Sequence, residues 1–226
     1  MLDSKHISSA VRNYTPRLVS SDARRRAAVA LLLREQRRGP EVLFIERARR
    51  MGDPWSGQMA FPGGGVDAAD PSPRRAAERE TREELGIRLD PTQFLGRIDD
   101  LEGRPRPIVV SCFVYHLNLP ITLNPNAEVE QAFWVPVSVL LDRSRTVAFE
   151  HPDDSRQLYP GIQVGTHRRH TLLGLTHRFL SNFFQVLGGS LPRIGRTGSA
   201  RSVPGQSEID QFAIDQSANV QSANVE

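Results

Sequence analysis

Short apolar runs separated by turn residues dominate the first half of the chain. An unbroken aliphatic run covers residues 27–33, and a second run, 42–45, follows a turn at Gly39 and Pro40. Runs of this length are typical of buried strands, so the pattern predicts a β-hairpin over 27–45. Later apolar runs predict two further strands, at 108–119 and 133–135.

Apolar residues at helical spacing occur near both ends of the chain. The polar segment 1–23 carries a weak helical stripe that ends before Pro16, because a residue that precedes proline avoids the helical conformation. Residues 171–187 carry a stronger stripe, rich in leucine and phenylalanine, that predicts a helix with a core-packing face. A short helix is also expected over 137–141.

The stretch around residue 80 has the clearest helix boundaries. Residues 70–73 provide capping side chains followed by a proline near the first helical position. Residues 74–85 contain no glycine or proline, and Gly86 stands where a left-handed residue ends many helices. Residues 61–65, with one proline and three glycines, are expected to break regular structure before this helix.

Strands that alternate with helices predict one mixed α/β domain over residues 24–188. Residues 1–23 are assigned to a separate N-terminal helical or extended segment. Residues 189–226 are rich in Ser, Gly, Gln and Asn and contain a direct repeat of Gln-Ser-Ala-Asn-Val. They are predicted to be a disordered tail, because they cannot bury enough apolar area to offset their ordering entropy.

Composition narrows the class of protein. A single cysteine, Cys112, excludes a disulfide framework and a multi-cysteine zinc site, and its apolar neighbours predict a buried strand position. No apolar run approaches the roughly 20 residues that span a bilayer, and the N-terminus lacks the apolar core of a signal peptide. We therefore expect a cytoplasmic protein without a membrane partner.

The net charge of +3 does not by itself indicate a nucleic-acid partner. A nucleic-acid-binding protein concentrates its basic residues on one element. Here the 29 basic residues, of which only Lys5 is a lysine, are spread along the chain and mostly stand beside acidic residues. No nucleic-acid partner is expected, although the guanidinium groups would suit a phosphate-bearing substrate.

Three acidic residues share one face of the predicted helix. Glu80, Glu83 and Glu84 stand at positions i, i+3 and i+4, and no basic residue in the helix is expected to relieve Glu80 or Glu84. Each like-charge pair costs about 0.2–0.5 kcal/mol. Mg²⁺ prefers carboxylate oxygens and bridges substrate phosphates, so it would relieve this repulsion.

An ordinary solvated helix with ion pairs is the alternative explanation of these acids. The spacing allows two i, i+4 pairs, one between Glu78 and Arg82 and one between Arg79 and Glu83. It offers no such pair to Glu80, and the three glycines that precede the helix would let a ligand approach the backbone closely.

The stretch 57–87 resembles the box of the Nudix hydrolase family, G-x5-E-x7-R-E-U-x-E-E-x-G-U, in which U is a bulky aliphatic residue. Gly64 takes the place of its first glycine, Asp70 that of its first glutamate, and residues 79–86 read R-E-T-R-E-E-L-G. The chain departs from the box by one extra spacer residue and by Thr81 at an aliphatic position. The coenzyme A diphosphatase-like branch of the family shows the same departures. The sequence G-Q-M-A-F-P-G-G-G, which opens the stretch, also resembles the motif of that branch.

The resemblance implies a Nudix fold, an α/β/α sandwich with a mixed β-sheet, and a pyrophosphohydrolase. The implied reaction is attack of water on the pyrophosphate of a nucleoside-diphosphate-linked substrate, with Mg²⁺ or Mn²⁺ as cofactor. Coenzyme A or an acyl derivative is the first choice of small-molecule partner. ADP-ribose, a dinucleotide, or a catalytically silent nucleotide-binding module are the alternatives. Family members are often dimers, so a homodimer stays open as well.

The same resemblance implies roles for individual residues. Glu80, Glu84 and Glu83 match the metal ligands of the family, together with the backbone carbonyl of Gly63. Arg79 matches the arginine that orients these carboxylates. Glu83 is counted among the catalytic residues too, because a glutamate of the box is one candidate for the general base.

A further carboxylate from outside the box is expected as base or extra ligand. Glu128 is the first candidate and Glu130 the second, and the alternative is that both are ordinary exposed acids. Arg104 and Arg106 could meet a phosphate or could simply lie on the surface.

Residues 47–56 depart from the branch pattern, because the segment is one residue longer and Trp55 stands near an expected histidine. Trp55 either stacks on an adenine or covers the core. His167 and His170 flank two arginines, which disfavours a metal between them, so both are expected in a solvated loop.

Overall fold

The computed structural model describes residues 3–20, 25–51, 55–103, 107–118, 121–151, 154–165 and 170–193. Its helices are α1 (Ser4–Arg12), α2 (Pro73–Leu85), α3 (Val137–Leu140) and α4 (Gly174–Val186). Its strands are β1 (Arg25–Gln36), β2 (Gly39–Arg47), β3 (Met59–Ala60), β4 (Gly63–Gly65), β5 (Phe94–Arg97), β6 (Leu101–Gly103), β7 (Ile108–Leu117), β8 (Val129–Pro136), β9 (Thr146–His151), β10 (Asp154–Gln163) and β11 (Thr171–Leu172). Within these ranges no helix has the length and apolar character needed to cross a bilayer. Arg104, Arg106, His167 and residues 194–226 of the predicted tail lie outside the described residues, so the expectations for them stay predictions. Residues 189–193 of that predicted tail are described, and Leu191 among them is buried in the core.

The chain forms a mixed sheet around β1. This strand runs parallel to β7 and antiparallel to β2. The sheet has the order β3-β2-β1-β7-β5, while β4 pairs with β1, β6 with β7 and β8 with β2. Because a strand in this central position is covered on both faces, residues 27–33 read as an unbroken apolar run rather than an alternating one.

Side chains of β1 point alternately into two apolar cores. Leu31 and Leu33 lie in the core beneath α1 and α4, whereas Leu32 lies in the core beneath α2 together with Ala76 and Ala77. Helices on both faces of a mixed sheet make up the α/β/α sandwich that the sequence predicted.

The N-terminal segment shares the core of the domain that follows it. Ile7 and Val11 of α1 are buried in the same core as α4. Beyond the helix, the carboxylate of Asp99 accepts hydrogen bonds from the Tyr14 hydroxyl at 2.7 Å and the Arg17 guanidinium at 2.8 Å. These contacts fasten the chain to the sheet, although its polar composition suggests a separate segment.

Several predicted elements are confirmed, with identifiable causes. β1 and β2 form the expected hairpin, and β7, β8 and α3 lie where the apolar runs place them. The side chain of Ser72 caps α2 by accepting a hydrogen bond from the N–H of Arg75. The helix ends at Gly86, which is left-handed with a φ of 72°.

Other predictions are wrong in part. Residues 63–65, expected to be irregular, form β4 on the edge of β1. The helix predicted from residue 171 begins at Gly174, because Thr171 and Leu172 form β11 in a three-stranded antiparallel sheet with β10 and β9. The sequence analysis missed this second sheet because β9 and β10 mix polar and apolar residues without a marked period.

We expect Ile7→Ala to lower the free energy of unfolding by about 2–5 kcal/mol, because it leaves a cavity in the core. Leu18→Ala is the control: Leu18 is 61% exposed, so its truncation should change stability by less than about 0.5 kcal/mol. Urea denaturation followed by circular dichroism measures both. Equal effects of the two variants would contradict the packing of α1 onto the sheet.

Candidate active site

Small residues on both elements allow α2 to lie close to β4. Ala76 and Ala77 are fully buried on the helix, and β4 consists of three glycines. At Gly63 a Cβ atom would lie 2.3 Å from a carbonyl oxygen of β1, and the φ of +144° also favours glycine. The backbone of β4 can therefore lie directly against Glu80 and Glu84, which stand one turn apart on α2.

Glu84 is the most buried acid of this site, with 1% of its surface exposed. Its Oε2 atom accepts a hydrogen bond of 2.8 Å from the backbone N–H of Gly63. Burial raises the pKa of Glu84 to about 7, the N–H of Gly63 and the charge of Arg47 oppose this shift, and the charges of Glu80 and Glu128 add to it. The negative charge of Glu84 is therefore unfavourable here unless a cation compensates it.

The carboxylate of Glu80 lies against the backbone of Gly64. A Cβ atom at Gly64 would stand 2.5 Å from the carboxyl carbon of Glu80. Burial raises the pKa of Glu80, whereas its ion pair with Arg79, in which Nη1 and Oε1 are 2.9 Å apart, lowers it. The expectation that no cation in the helix relieves Glu80 is therefore wrong. Helical spacing did not reveal this pair, because adjacent residues do not share a face and only the length of the arginine side chain lets them meet.

Arg79 also binds acids that precede and follow Glu80 in the chain. Its Nε and Nη2 atoms donate to the two oxygens of Asp70 at 3.1 and 3.0 Å, and this contact holds the pKa of Asp70 below its usual range. The pair between Arg79 and Glu83 that the spacing predicted is confirmed at 3.0 Å. Nη2 also donates to the carbonyl of Gly65 at 3.1 Å, so Arg79 ties α2 to the end of β4. The role of Asp70 was missed, although the resemblance places it at a glutamate of the box.

The predicted pair between Glu78 and Arg82 is wrong. The carboxylate of Glu78 contacts Arg75 at 2.5 Å and Arg74 at 3.3 Å, and it accepts a hydrogen bond of 2.7 Å from the Tyr115 hydroxyl. Glu78 is thus already bound by two arginines one turn earlier on α2 and by a tyrosine of β7. Ion pairing along an exposed helix consequently accounts for only part of the charge on α2.

Glu128 lies within electrostatic range of the acids on α2. Its charge raises the pKa of both Glu80 and Glu84, and its Oε1 atom is 3.0 Å from Nη1 of Arg50. Glu130 is exposed on β8. The sequence analysis missed Arg50, because no spacing rule connects the segment after β2 with residue 128. Glu128 as the general base stays a prediction.

The chemistry of the donors around β4 fits a hard divalent cation. Within the described ranges, no three His, Cys, Asp or Glu side chains already converge as a metal cluster. The carboxylates of Glu80 and Glu84 instead contact Arg79 and Gly63, respectively. Carboxylate and carbonyl oxygens are the ligands that Mg²⁺ and Mn²⁺ prefer, and a buried, poorly compensated carboxylate favours a cation beside it. Glu80, Glu84, Glu83 and the carbonyl of Gly63 stay the predicted ligand set.

Three other candidates are placed as follows. Cys112 is buried in β7, as predicted. The prediction of a solvated His170 is wrong: the side chain is buried, with Nε2 3.2 Å from Oε2 of Glu46 and the ring against Phe133. The cause is the missed second sheet: His170 directly precedes β11, and its carbonyl accepts a hydrogen bond from the N–H of Val164, the residue after β10. Trp55 is half-buried, and its stacking role stays a prediction.

Comparison with known proteins gives a family match over most of the described domain. Residues 23–160 match the NUDIX domain family. Uncharacterized protein C14C4.10c of Schizosaccharomyces pombe is 33% identical over 152 residues, which are 57% of this chain and 46% of that protein. Mitochondrial coenzyme A diphosphatase NUDT8 of Homo sapiens is 31% identical over 172 residues, which are 74% of this chain and 72% of the human protein. The match therefore spans less than half of the yeast relative and almost three quarters of the human one.

A solved structure also resembles this chain. The MutT/nudix family protein from Enterococcus faecalis aligns with 82% of this chain and 74% of its own, with a TM-score of 0.53 and 16% identity. At this identity the likeness concerns the fold, and it agrees with the mixed sheet and its covering helices.

We expect Gly64→Ala to weaken Mn²⁺ binding at least about tenfold, because the new Cβ must displace the Glu80 carboxyl carbon by about 1 Å to reach van der Waals contact. The flexible end of Glu80 can move, so the thermal midpoint should hardly change. Gly65→Ala is the matched control, since a Cβ there meets nothing within 4 Å. Paramagnetic resonance of free Mn²⁺ measures the affinity. Equal affinities of the two variants would contradict this placement of Glu80.

Proposed function

This chain belongs to the Nudix family of pyrophosphohydrolases, and from that premise we propose that it hydrolyses coenzyme A or an acyl derivative with a divalent metal ion. The products are 3′,5′-ADP and 4′-phosphopantetheine or its acyl form. The observation that carries the proposal is the burial of Glu84 against the N–H of Gly63, with the carboxylate of Glu80, one turn earlier on α2, against the next glycine of β4.

The choice of coenzyme A rests on two similarities. The human relative is named a mitochondrial coenzyme A diphosphatase and aligns with 74% of this chain. The sequence over 57–87 resembles the same branch of the family, while residues 47–56 depart from it. Other nucleoside-diphosphate-linked substrates are therefore included as outcomes of the test.

The site residues have complementary tasks in this reaction. Glu80, Glu84, Glu83 and the carbonyl of Gly63 would hold the divalent ion, which, when bound, lowers the pKa of a coordinated water and neutralises charge on the pyrophosphate. Arg79 fixes the rotamers of Glu80 and Glu83 through its ion pairs.

In this proposal Glu128 accepts the proton that the attacking water loses. Water adds to one phosphorus, the bridging P–O bond breaks, and the released phosphate keeps the bridging oxygen. Oε1 of Glu128 lies 3.0 Å from Nη1 of Arg50, and its charge acts on the carboxylates of Glu80 and Glu84. Residence in the cytoplasm and the oligomeric state stay predictions.

We expect the wild-type protein with Mg²⁺ or Mn²⁺ to cleave coenzyme A, and Glu84→Gln to lower kcat/KM by more than about a hundredfold, because a metal ligand is lost. Glutamine still accepts the hydrogen bond from Gly63 and removes a buried charge, so the thermal midpoint without metal should not fall. Mass spectrometry of a panel of coenzyme A, ADP-ribose and dinucleotides identifies the products. Cleavage of dinucleotides or ADP-ribose alone rejects coenzyme A, and no cleavage at all favours the silent module.

Glu128→Gln and Glu130→Gln form a matched pair that tests the general base. We expect Glu128→Gln to lower kcat by about 10²–10⁴-fold, the usual contribution of a positioned base. Glu130→Gln should leave kcat within about twofold, because its side chain is exposed on β8. Rates at saturating substrate between pH 6 and 9 measure both. The opposite order of the two effects would assign the base to Glu130.

A further inference from the structure

A groove runs along the side of α2 next to the candidate metal ligands. It has a volume of about 260 Å³. Arg75, Arg79 and Arg82 follow one another on the helix at spacings of four and three residues, and the chain after Gly86 turns back to add Arg88. We call this feature the arginine groove; its lining residues are Arg75, Glu78, Arg79, Arg82, Arg88 and Leu89.

The positive charge of the arginine groove is only partly compensated. Glu78, the acid of the lining, is already bound by Arg75 and by the Tyr115 hydroxyl. Arg82 and Arg88 are exposed, and neither side chain forms a hydrogen bond or an ion pair with another residue of the described ranges. Two guanidinium groups with all their donors available therefore face one groove.

The arginine groove and the candidate metal site share a wall. Arg79 lines the groove and also contacts Glu80 at 2.9 Å and Glu83 at 3.0 Å. Arg82 directly precedes Glu83 in the chain. A ligand group in the groove and a pyrophosphate beside Glu80 and Glu84 would thus occupy neighbouring faces of a single helix.

We propose that the arginine groove binds a second phosphate of the substrate, held by Arg82 and Arg88. This inference rests on the function proposed above, under which that group is the 3′-phosphate of coenzyme A. The guanidinium fork matches a phosphate monoester in shape and charge. At about 260 Å³ the groove is smaller than the roughly 300–1,000 Å³ of sites that enclose a whole drug-sized ligand, so it suits one group of a larger molecule.

The inference predicts a preference for substrates that carry this phosphate. The ratio of kcat/KM for coenzyme A to kcat/KM for 3′-dephospho-coenzyme A should fall by about tenfold in Arg82→Ala and in Arg88→Ala, and further in the double variant. A ratio isolates the 3′-phosphate, because a general loss of structure or of metal binding lowers both rates alike.

The matched control is the double variant Arg37→Ala/Arg38→Ala. It removes the same charge from two exposed arginines at the turn between β1 and β2. This turn follows the end of β1, which lies seven residues, or about 23 Å, along the strand from the residue that pairs with Gly63. Its ratio should equal that of the wild type. A ratio that is unchanged in the groove variants, or that falls equally in the control, overturns the inference.

Calorimetry separates failure of this inference from failure of the proposed function. We expect the wild-type protein with Mg²⁺ to bind 3′,5′-ADP about tenfold more tightly than 5′-AMP, and the double groove variant to lose this difference. If neither form of coenzyme A is hydrolysed but the difference is present, coenzyme A hydrolysis is rejected and the phosphate site stands. If the wild type binds both nucleotides equally, the arginine groove is not a phosphate site.

Discussion

The close approach of α2 to β4 is the constraint on which the site depends. At Gly63 the backbone of β1 leaves no room for a Cβ atom, and at Gly64 the carboxylate of Glu80 fills that space. On α2, Ala76 and Ala77 are fully buried in the core that the helix shares with β1. Larger residues at these positions would separate the helix from the strand, because interiors packed to this density do not absorb added volume without moving.

This approach has an electrostatic consequence. Glu84 is shielded from water there, and one backbone N–H together with the charge of Arg47 compensates its negative charge only in part. The outer acids are in a different position, since Arg79 binds Asp70, Glu80 and Glu83. The fold thus neutralises the rim of the acidic cluster and leaves its centre short of positive charge. A fold keeps such an unfavourable group mainly where function requires it.

The sequence predicts the fold best where local chemistry decides. The limits of α2 follow from Ser72 and Gly86, and the central hairpin follows from apolar runs that any mixed sheet would bury on both faces. Contacts between distant segments could not be predicted from the sequence. The second sheet, the burial of His170 against Glu46, and the contact of Arg50 with Glu128 each join segments that no periodicity connects. Inside the box, helical spacing anticipated the pair of Arg79 with Glu83. It missed the pairs with Glu80 and Asp70, because the reach of arginine exceeds the geometry of one helical face.

Charge in this molecule acts locally rather than through its total. At physiological ionic strength the screening length is about 8 Å, so the net charge of +3 contributes little at any one point. What a pyrophosphate ester meets is the pattern on α2, where carboxylates that favour a cation lie beside arginines that favour an anion. Arg79 lies between these two surfaces, and its own charge is compensated by four acids, which are Asp67, Asp70, Glu80 and Glu83. Arg79 therefore separates the carboxylates of the candidate metal site from the positive charge of the arginine groove. In the described ranges Glu83 pairs with Arg79 at 3.0 Å, whereas the side chain of Arg82 pairs with no acid, so the groove keeps the positive charge of Arg82.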